Sequence, residues 1–442
     1  MIKIQTLRIL SLALFLSVVV NTIVSAQIKI SDKTTFSILT CSPGADLYSL
    51  FGHTAIRVTD NHKDRFIDLV FNYGTFEFSD DFYVKFAMGK LNYQLSVSRF
   101  GDFQKSYIDE MRGIEEQVLL LNHAQKIHLW ELLQCNYQPE NQTYRYDFFY
   151  DNCSTRVRDI ILLACQMAEQ HPIADSLNVA PDLNYQATLR QAFPDNGDPS
   201  QRSSLQQGQP IAFTYTYPSD YSFRDAIDRY LVYQPWSDFG IDVALGLPCD
   251  RSVLHTQAMF LPDSLKKEFH YAHQNNQAVV TRADDLLFNE NEFEQPRFFT
   301  PFWIFTAVFL FIASFSMRAD KRFDVRIWDR LFLIVVGLIG LLVCFLWFIT
   351  DHHATVNNLN ILWAHPLWIL FAFKKQFSHL LITGLKILAG MVAITLIVFP
   401  FLPQQLHVAT IPLMLTTLLI CFKILKTAQR AGSKQTSTVI SA

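Results

Sequence analysis

Five apolar runs crowd the last third of the chain, at 298–317, 331–350, 359–373, 379–401 and 406–425. Most are long enough to cross a bilayer core of roughly 30 Å as helices. Hydrocarbon offers no partner to a bare N–H or C=O, so such runs are confined to structures that satisfy their own backbone. Five in succession, joined by short polar connectors, is not the pattern of a soluble core. The third run, LNILWAHPLWILFAF, is short and carries Pro366, so a tilted or broken segment is expected there.

Lysine and arginine placement orients the runs. The connector RADKRFDVRIWDR holds Arg318, Lys321, Arg322, Arg326 and Arg330. Lys374 and Lys375 follow the third run, and Lys423, Lys426 and Arg430 close the fifth. The connectors TDHHATVNNLN and PQQLH contain neither residue type. The basic ends, and the C-terminus with them, are therefore expected in the cytoplasm, and the chain ahead of residue 298 outside it. The N-terminus points the same way. Residues 1–26 pass from Lys3 and Arg8 through ILSLALFLSVVV to the small residues Val24 and Ala26, the order of a cleavable export signal cut before Gln27. An uncleaved anchor is the alternative. No cysteine stands at the cut, so the protein itself is not expected to be a lipoprotein. The expected layout is a signal at 1–26 and an exported domain at 27–297, with a core at about 34–170 and an accessory segment at about 205–297. A transmembrane domain at 298–425 and a tail at 426–442 follow.

With a net charge of −3 and no long basic run, the chain lacks the electrostatic footprint of a nucleic-acid binder. In the exported part, TFSILTC and HTAIRV read as strands, DNHKD as a turn and RFIDLVFNYG as a returning strand. QLSVSRF and EEQVLLLN read as further strands. AQKIHLWELLQC has helical spacing, and CSTRVRDIILLACQMAEQ has it more strongly, with Val157, Ile160, Ile161 and Ala164 on one face. Residues 166–222, rich in Pro, Asn, Gln and Ser, read as loop, and SFRDAIDRYLVYQPWSDFGIDVALG as helical again. The fold class expected is α+β on a multi-span helical base.

The stretch FYDNCSTRVRD sets a cysteine at the mouth of an amphipathic helix. A free thiol has a pKa of about 8.5, and a helix N-terminus favours the thiolate. Cys153 occupies that position, with Asp151 and Asn152 as capping candidates. The base that a thiol nucleophile needs is offered by His53, at the head of a strand that can aim its ring. If 53–59 and 65–71 pair about DNHKD, residues near 71 lie opposite His53, and Asn72 or Asp68 would orient the imidazole according to register. Asn72 is preferred. Against this stands the ordinary fate of a free cysteine, as a small buried hydrophobe. Cys41, followed by the tight SPG loop, is a rival nucleophile. The exported part holds Cys41, Cys135, Cys153, Cys165 and Cys249, an odd number in a compartment that favours disulfides. No HxxxH or CxxC spacing occurs, so neither a metal nor another cofactor is expected.

A His at the head of a strand, followed about a hundred residues later by Asn-Cys at a helix start, resembles the circularly permuted papain-like proteins. These include the lecithin:retinol acyltransferase group, with its own Asn-Cys motif. The longer strings CSPGADLYSLFGHTAIRV, FNYGTFEFSDDFYVKFAMGKLNYQL, YRYDFFYDNCSTRVRD and PWSDFGIDVALG are similar, more narrowly, to the bacterial lipoprotein N-acyltransferases of the Lnb type. With TDHHATVNNLNILWAHP the resemblance covers nearly the whole chain. It implies a permuted papain-like periplasmic domain with thiol catalysis by Cys153 and His53. It also implies an inner-membrane location, a phospholipid as acyl donor and a diacylated lipoprotein as acceptor. It leaves the third catalytic residue open. A membrane-tethered cysteine peptidase or amidase, and a non-catalytic scaffold, are the competing expectations.

Two further segments bear on substrates. Phe71, Tyr73, Phe76, Phe78, Phe82, Tyr83 and Phe86 fall within one short run, which suits an acyl-chain groove or a headgroup-facing surface as well as an ordinary core. The outer connector carries Asp351, His352, His353, Asn357, Asn358 and Asn360 at the membrane face expected for the thiol domain. Of these, His352, His353, Asn357 and Asn360, with Asp68 and Asn152, are the substrate-binding candidates, a solvated loop being the plainer reading.

Overall fold

The computed structural model describes residues 30–62, 65–76, 80–173, 182–193, 210–253 apart from 216 and 219, 255–288, 298–318, 327–373 and 378–440. The expected export signal lies outside the described residues, as do Phe78, Lys321, Arg322, Arg326, Lys374 and Lys375.

The β-branched and aromatic runs of the exported part form β1 (Thr35–Cys41), β2 (His53–His62) and β3 (Arg65–Thr75), followed by the short helix α1 (Phe82–Ala87) and β4 (Asn92–Arg99). The chain continues through α2 (Phe100–Asp109), β5 (Ile114–Leu119), α3 (His123–Asn136), β6 (Thr143–Arg145) and α4 (Cys153–Gln170). After α5 (Phe223–Leu231), α6 (Pro235–Ala244) and α7 (Pro262–Tyr271), strand β7 (Val280–Leu287) closes the domain. The sheet is antiparallel throughout, in the order β6-β4-β3-β2-β1-β5-β7. The domain is α+β.

Both faces of the central strands are covered. Phe36, Ile38, Ile56, Val58, Phe71 and Tyr73 pack on Leu129, Leu133, Val157 and Ile161 of α3 and α4. Leu39, Cys41, Ala55 and Val70 pack with Phe100, Phe103 and Tyr107 of α2. One expectation changes. The stretch read as loop contains a helix, Tyr185–Ala192, whose Tyr185, Leu189 and Ala192 form a one-sided apolar stripe docked on the core. From within the accessory segment, β7 joins the core sheet by pairing with β5.

The membrane part comprises α8 (Pro301–Arg318), α9 (Ile327–Phe348), α10 (Trp368–Phe373), α11 (His379–Ile397) and α12 (Thr410–Ile440). Among the described residues three helices are long and apolar enough to cross a membrane: Ile327–Phe348, His379–Ile397 and Thr410–Gln429, with Pro301–Ser314 shorter. The third apolar run is not one helix. It makes a 3-10 turn at Leu359–Leu362, breaks ahead of Pro366 and resumes as six-residue α10. Its Trp363 and Trp368 are fully buried. Gly340 of α9 admits this broken segment, since a Cβ there would lie 1.8 Å from the Ala364 carbonyl oxygen. Inside the bundle, Lys423 of α12 donates to Asp329 of α9 at 2.8 Å.

The two parts are clasped together through α6. Asn358 Nδ2 donates to Val243 O at 2.8 Å, and Gln404 Nε2 donates to Leu245 O at 2.9 Å. Gln404 Oε1 in turn accepts from Leu359 N at 2.7 Å. A Cβ on Gly246 would stand 1.9 Å from Val356 O, so backbone meets backbone at this joint.

Candidate active site

Cys153 is the first residue of α4, and its neighbour builds the helix start. Asn152 is the N-cap: its Oδ1 accepts from Ser154 N at 2.9 Å and Thr155 N at 3.0 Å, while Thr155 Oγ1 accepts from Asn152 N at 2.8 Å. Its Nδ2 donates to Phe148 O and Phe260 O, both at 2.8 Å. Every polar side-chain atom of Asn152 is thus engaged and the residue is buried. It holds the turn of Cys153 in place, and no polar side-chain atom of it is left for a ligand. Asp151, the other capping candidate, pairs instead with Arg156 at 2.8 Å.

His53 opens β2. Its Nε2 lies 2.6 Å from Asn72 Oδ1, so the ring donates there, and the ring stands beside the Cys153 side chain, the two meeting across Gly74. The β2–β3 ladder runs from His62↔Arg65 to Ile56↔Phe71. The strands therefore extend further into DNHKD than the sequence suggests, and the next rung sets Asn72 beside Ala55, diagonal to His53. Asp68 lies opposite Thr59 and forms a two-pronged pair with Arg57, at 2.8 and 2.9 Å, rather than meeting His53.

Glycine makes the meeting possible. At Gly74 (φ +85°) a Cβ would lie 3.4 Å from Cys153 Cβ and 3.7 Å from His53 Cε1. Burial alone would push the Cys153 thiol up, but the charge and hydrogen bond of His53, with help from Thr54 and Ser154, bring it below its ordinary value. Burial likewise opposes charge on His53, and the Cys153 charge and the hydrogen bonds to Cys153 and Asn72 more than offset it, raising the imidazole. The two shifts favour a thiolate–imidazolium pair.

Cys41 is a poor rival, because burial pushes its thiol up to about 12. Cys135, Cys165 and Cys249 are likewise free, their thiols raised by burial. Tyr144, which motif reasoning missed, sits close by. Its hydroxyl is buried, makes no hydrogen bond among the described residues, and lies 3.9 Å from where a Gly74 Cβ would be. The Arg156 guanidinium stacks on its ring at 4.0 Å and fixes it. Only its place in YRYDFFYDNC could have drawn attention to it.

The connector candidates separate. His352 Nε2 meets Phe86 O at 3.1 Å, and His353 Nδ1 meets Asp147 Oδ2 at 3.3 Å, so both touch the thiol domain. Asp147 in turn accepts from Phe149 N and Tyr150 N in the turn leading to Cys153. Asn360 is buried, donating to Asp242 O and accepting from Trp363 Nε1, which makes it a brace rather than a ligand. Asn357 is exposed in a left-handed turn (φ 53°), its carbonyl accepting from Leu247 N.

Residues 24–182 match the Lnb N-terminal periplasmic domain, and residues 293–431 match the Lnb transmembrane domain. The chain belongs to the Lnb family. That membership places it in a lipoprotein N-acyltransferase-type family, as an inner-membrane protein with a periplasmic N-terminal domain. No curated protein and no solved structure matches it. The His53 strand and the Cys153 helix both lie in the part matching the Lnb periplasmic domain, whereas β7 and the α6 clasp fall between the two matches.

Proposed function

We propose that this Lnb-family protein moves an acyl chain from a membrane phospholipid to the α-amine of a diacylglyceryl-cysteine lipoprotein, through a thioester on Cys153. The observation that carries the reading is the His53 imidazole, held by Asn72, beside the Cys153 thiol at the bare Gly74, in a domain clasped to a membrane bundle. The Cys153 thiolate attacks the ester carbonyl, the ester C–O bond breaks, and the His53 imidazolium protonates the departing lysophospholipid oxygen. In the second half the lipoprotein amine attacks the thioester, His53 takes its proton, and Cys153 leaves as thiolate.

Both tetrahedral intermediates carry an oxyanion. The Ser154 and Thr155 N–H groups are already held by the Asn152 cap, so the helix start offers the N–H of Cys153 alone. The free Tyr144 hydroxyl supplies a second donor. Tyr144→Phe is therefore expected to lower turnover about a hundredfold. Alkylation of Cys153 should proceed at the wild-type rate, which separates a lost donor from a lost fold.

In the same reading the bundle crosses the membrane five times and ends in the cytoplasm. Gln404 joins the α11–α12 connector to Leu359 and Leu245, which supports an outer location for that end. The Asp329–Lys423 pair joins the opposite halves of α9 and α12. The test of function is the mass of lipoprotein N-termini from cells with the gene, without it, and with Cys153→Ala. N-acylated termini are expected only from the first. Their persistence in Cys153→Ala cells overturns the reading, and cleaved murein or protein with unacylated lipoproteins favours a peptidase or amidase.

A further inference from the structure

The aromatic run read from the sequence divides in the structure. Phe71 and Tyr73 belong to the core of the sheet. Phe76, Phe82 and Phe86 do something else: with Tyr93 and Tyr146 they form a continuous row. Tyr146 stacks on Tyr93 with ring centroids 4.2 Å apart, and Tyr93 meets Phe76 at 5.2 Å. Phe76 meets Phe82 at 5.2 Å, and Phe82 stacks with Phe86 at 6.4 Å. The inner end lies at the turn that carries the thiol: Asp147, next to Tyr146, pairs backbone to backbone with Asp151 at 2.9 and 3.2 Å, two residues ahead of Cys153. The outer end is open: Phe86 is 50% exposed and its neighbour Val84 64%.

That outer end is fastened to the membrane part. Asp351 N donates to Met88 O at 3.0 Å, and His352 Nε2 meets Phe86 O at 3.1 Å. Arg145 donates to Gly89 O at 3.1 Å and also pairs with Asp351. Asp351 follows closely on the end of α9, the most apolar of the crossing helices, whose terminal Phe348 and the next residue Ile349 are themselves exposed. Helix α1 is thereby held at the bilayer boundary with apolar side chains bare, where an exposed patch marks contact with lipid.

We propose that this row, from Phe86 through Phe82, Phe76 and Tyr93 to Tyr146, is the binding lane for a fatty acyl chain of a membrane lipid, delivering its carbonyl end to Cys153. The inference rests on the acyltransferase reading and names where its donor lies. The lane supplies a continuous aromatic wall, and each methylene it withdraws from water favours binding. It also covers the thioester's chain, which limits access of water to the acyl-enzyme.

The test uses the full chain in phospholipid vesicles and two thiol probes, iodoacetamide and its N-hexadecyl derivative. Wild type is expected to take both at Cys153. Phe86→Glu, at a half-exposed side chain, should leave iodoacetamide labelling unchanged and slow the hexadecyl probe by about tenfold, because a charge at the mouth opposes entry of the chain. Phe76→Trp, which narrows the middle, should shift the chains found on lipoprotein N-termini toward shorter lengths. Hexadecyl labelling of Phe86→Glu at the wild-type rate overturns the lane. If lipoproteins are N-acylated but neither substitution alters labelling or chain length, the lane falls and the acyltransferase reading stands. If Phe86→Glu slows the hexadecyl probe alone but the wild type acylates no lipoprotein, the reading falls and the lane stands.

Discussion

His53→Ala is expected to lower lipoprotein N-acylation by about 10²–10⁴-fold, the usual contribution of a positioned acid–base group. The argument is electrostatic. Burial disfavours charge on the Cys153 sulfur, and His53 provides the first two of the influences that reverse it. Without the imidazole the Thr54 backbone, the Ser154 hydroxyl and the helix start are left to favour the thiolate against that burial, so the thiol should titrate above its value in the wild type. The sign is fixed by this. In the wild type the pair persists to lower pH than an ordinary thiol allows, because the Cys153 value is lowered and the His53 value raised. Iodoacetamide should therefore label wild-type Cys153 readily at neutral pH. In His53→Ala labelling should fall by about tenfold or more there and recover only in alkali. Equal labelling of the two proteins at neutral pH would show that His53 does not activate the sulfur. Asn72→Ala should give an intermediate loss, since it keeps the base and removes only the acceptor at 2.6 Å that orients it.

Some of this site is legible in the chain and some is not, for physical reasons. Cys153 and His53 are visible because a helix start and a strand head are local features, each carried by a few neighbouring residues. The partner of His53 depends on register, and register depends on where a turn closes. Asp60–His62 extend β2, so the residues facing His53 shift along β3, and a diagonal contact rather than a direct one brings Asn72 in. Tyr144 escapes notice because its role needs Gly74 to be bare and Arg156 to lie across its ring, two contacts remote from it in sequence. The connector polar residues mislead in the opposite direction. Asn358 and Asn360 look like an exposed cluster ready for a ligand, yet both are buried against the backbone of α6. Composition distinguishes polar from apolar, but it does not distinguish a loop facing water from one facing another part of the same chain.

Arg224→Met should destabilise the protein by about 3–5 kcal/mol, the usual penalty for stripping one partner from a buried charge cluster. Arg224 of α5 is almost wholly buried. It donates to Asp250 at 2.9 and 3.1 Å and to Asp242 at 2.5 Å, and reaches the carbonyl of Leu245 at 3.4 Å. It therefore organises the segment at which Gly246 meets the membrane connector. Around it, Asp228, Asp238 and Asp242 bring carboxylate oxygens within 4.8 Å of one another. Burial, with Asp242 and Asp238 nearby, pushes the Asp228 carboxyl up to about 8 from its ordinary value of 3.8. The folded protein then holds a proton on Asp228 that the unfolded chain releases, so this group costs progressively more stability as pH rises through that interval, and nothing below it. Methionine keeps the bulk of the arginine stem and removes the charge that offsets the cluster, so the carboxyls should shift further up and the pH-dependent cost should grow. Thermal unfolding in detergent should show a midpoint lower by on the order of 10 °C at pH 8 and a smaller deficit at pH 5. Adding Asp242→Asn should restore part of the loss, since it removes one of the charges left without a counter-ion. A deficit that is the same at both pH values, and indifferent to Asp242→Asn, would mean that Arg224 acts through packing alone and that the acidic joint between the Lnb domains is not held by charge.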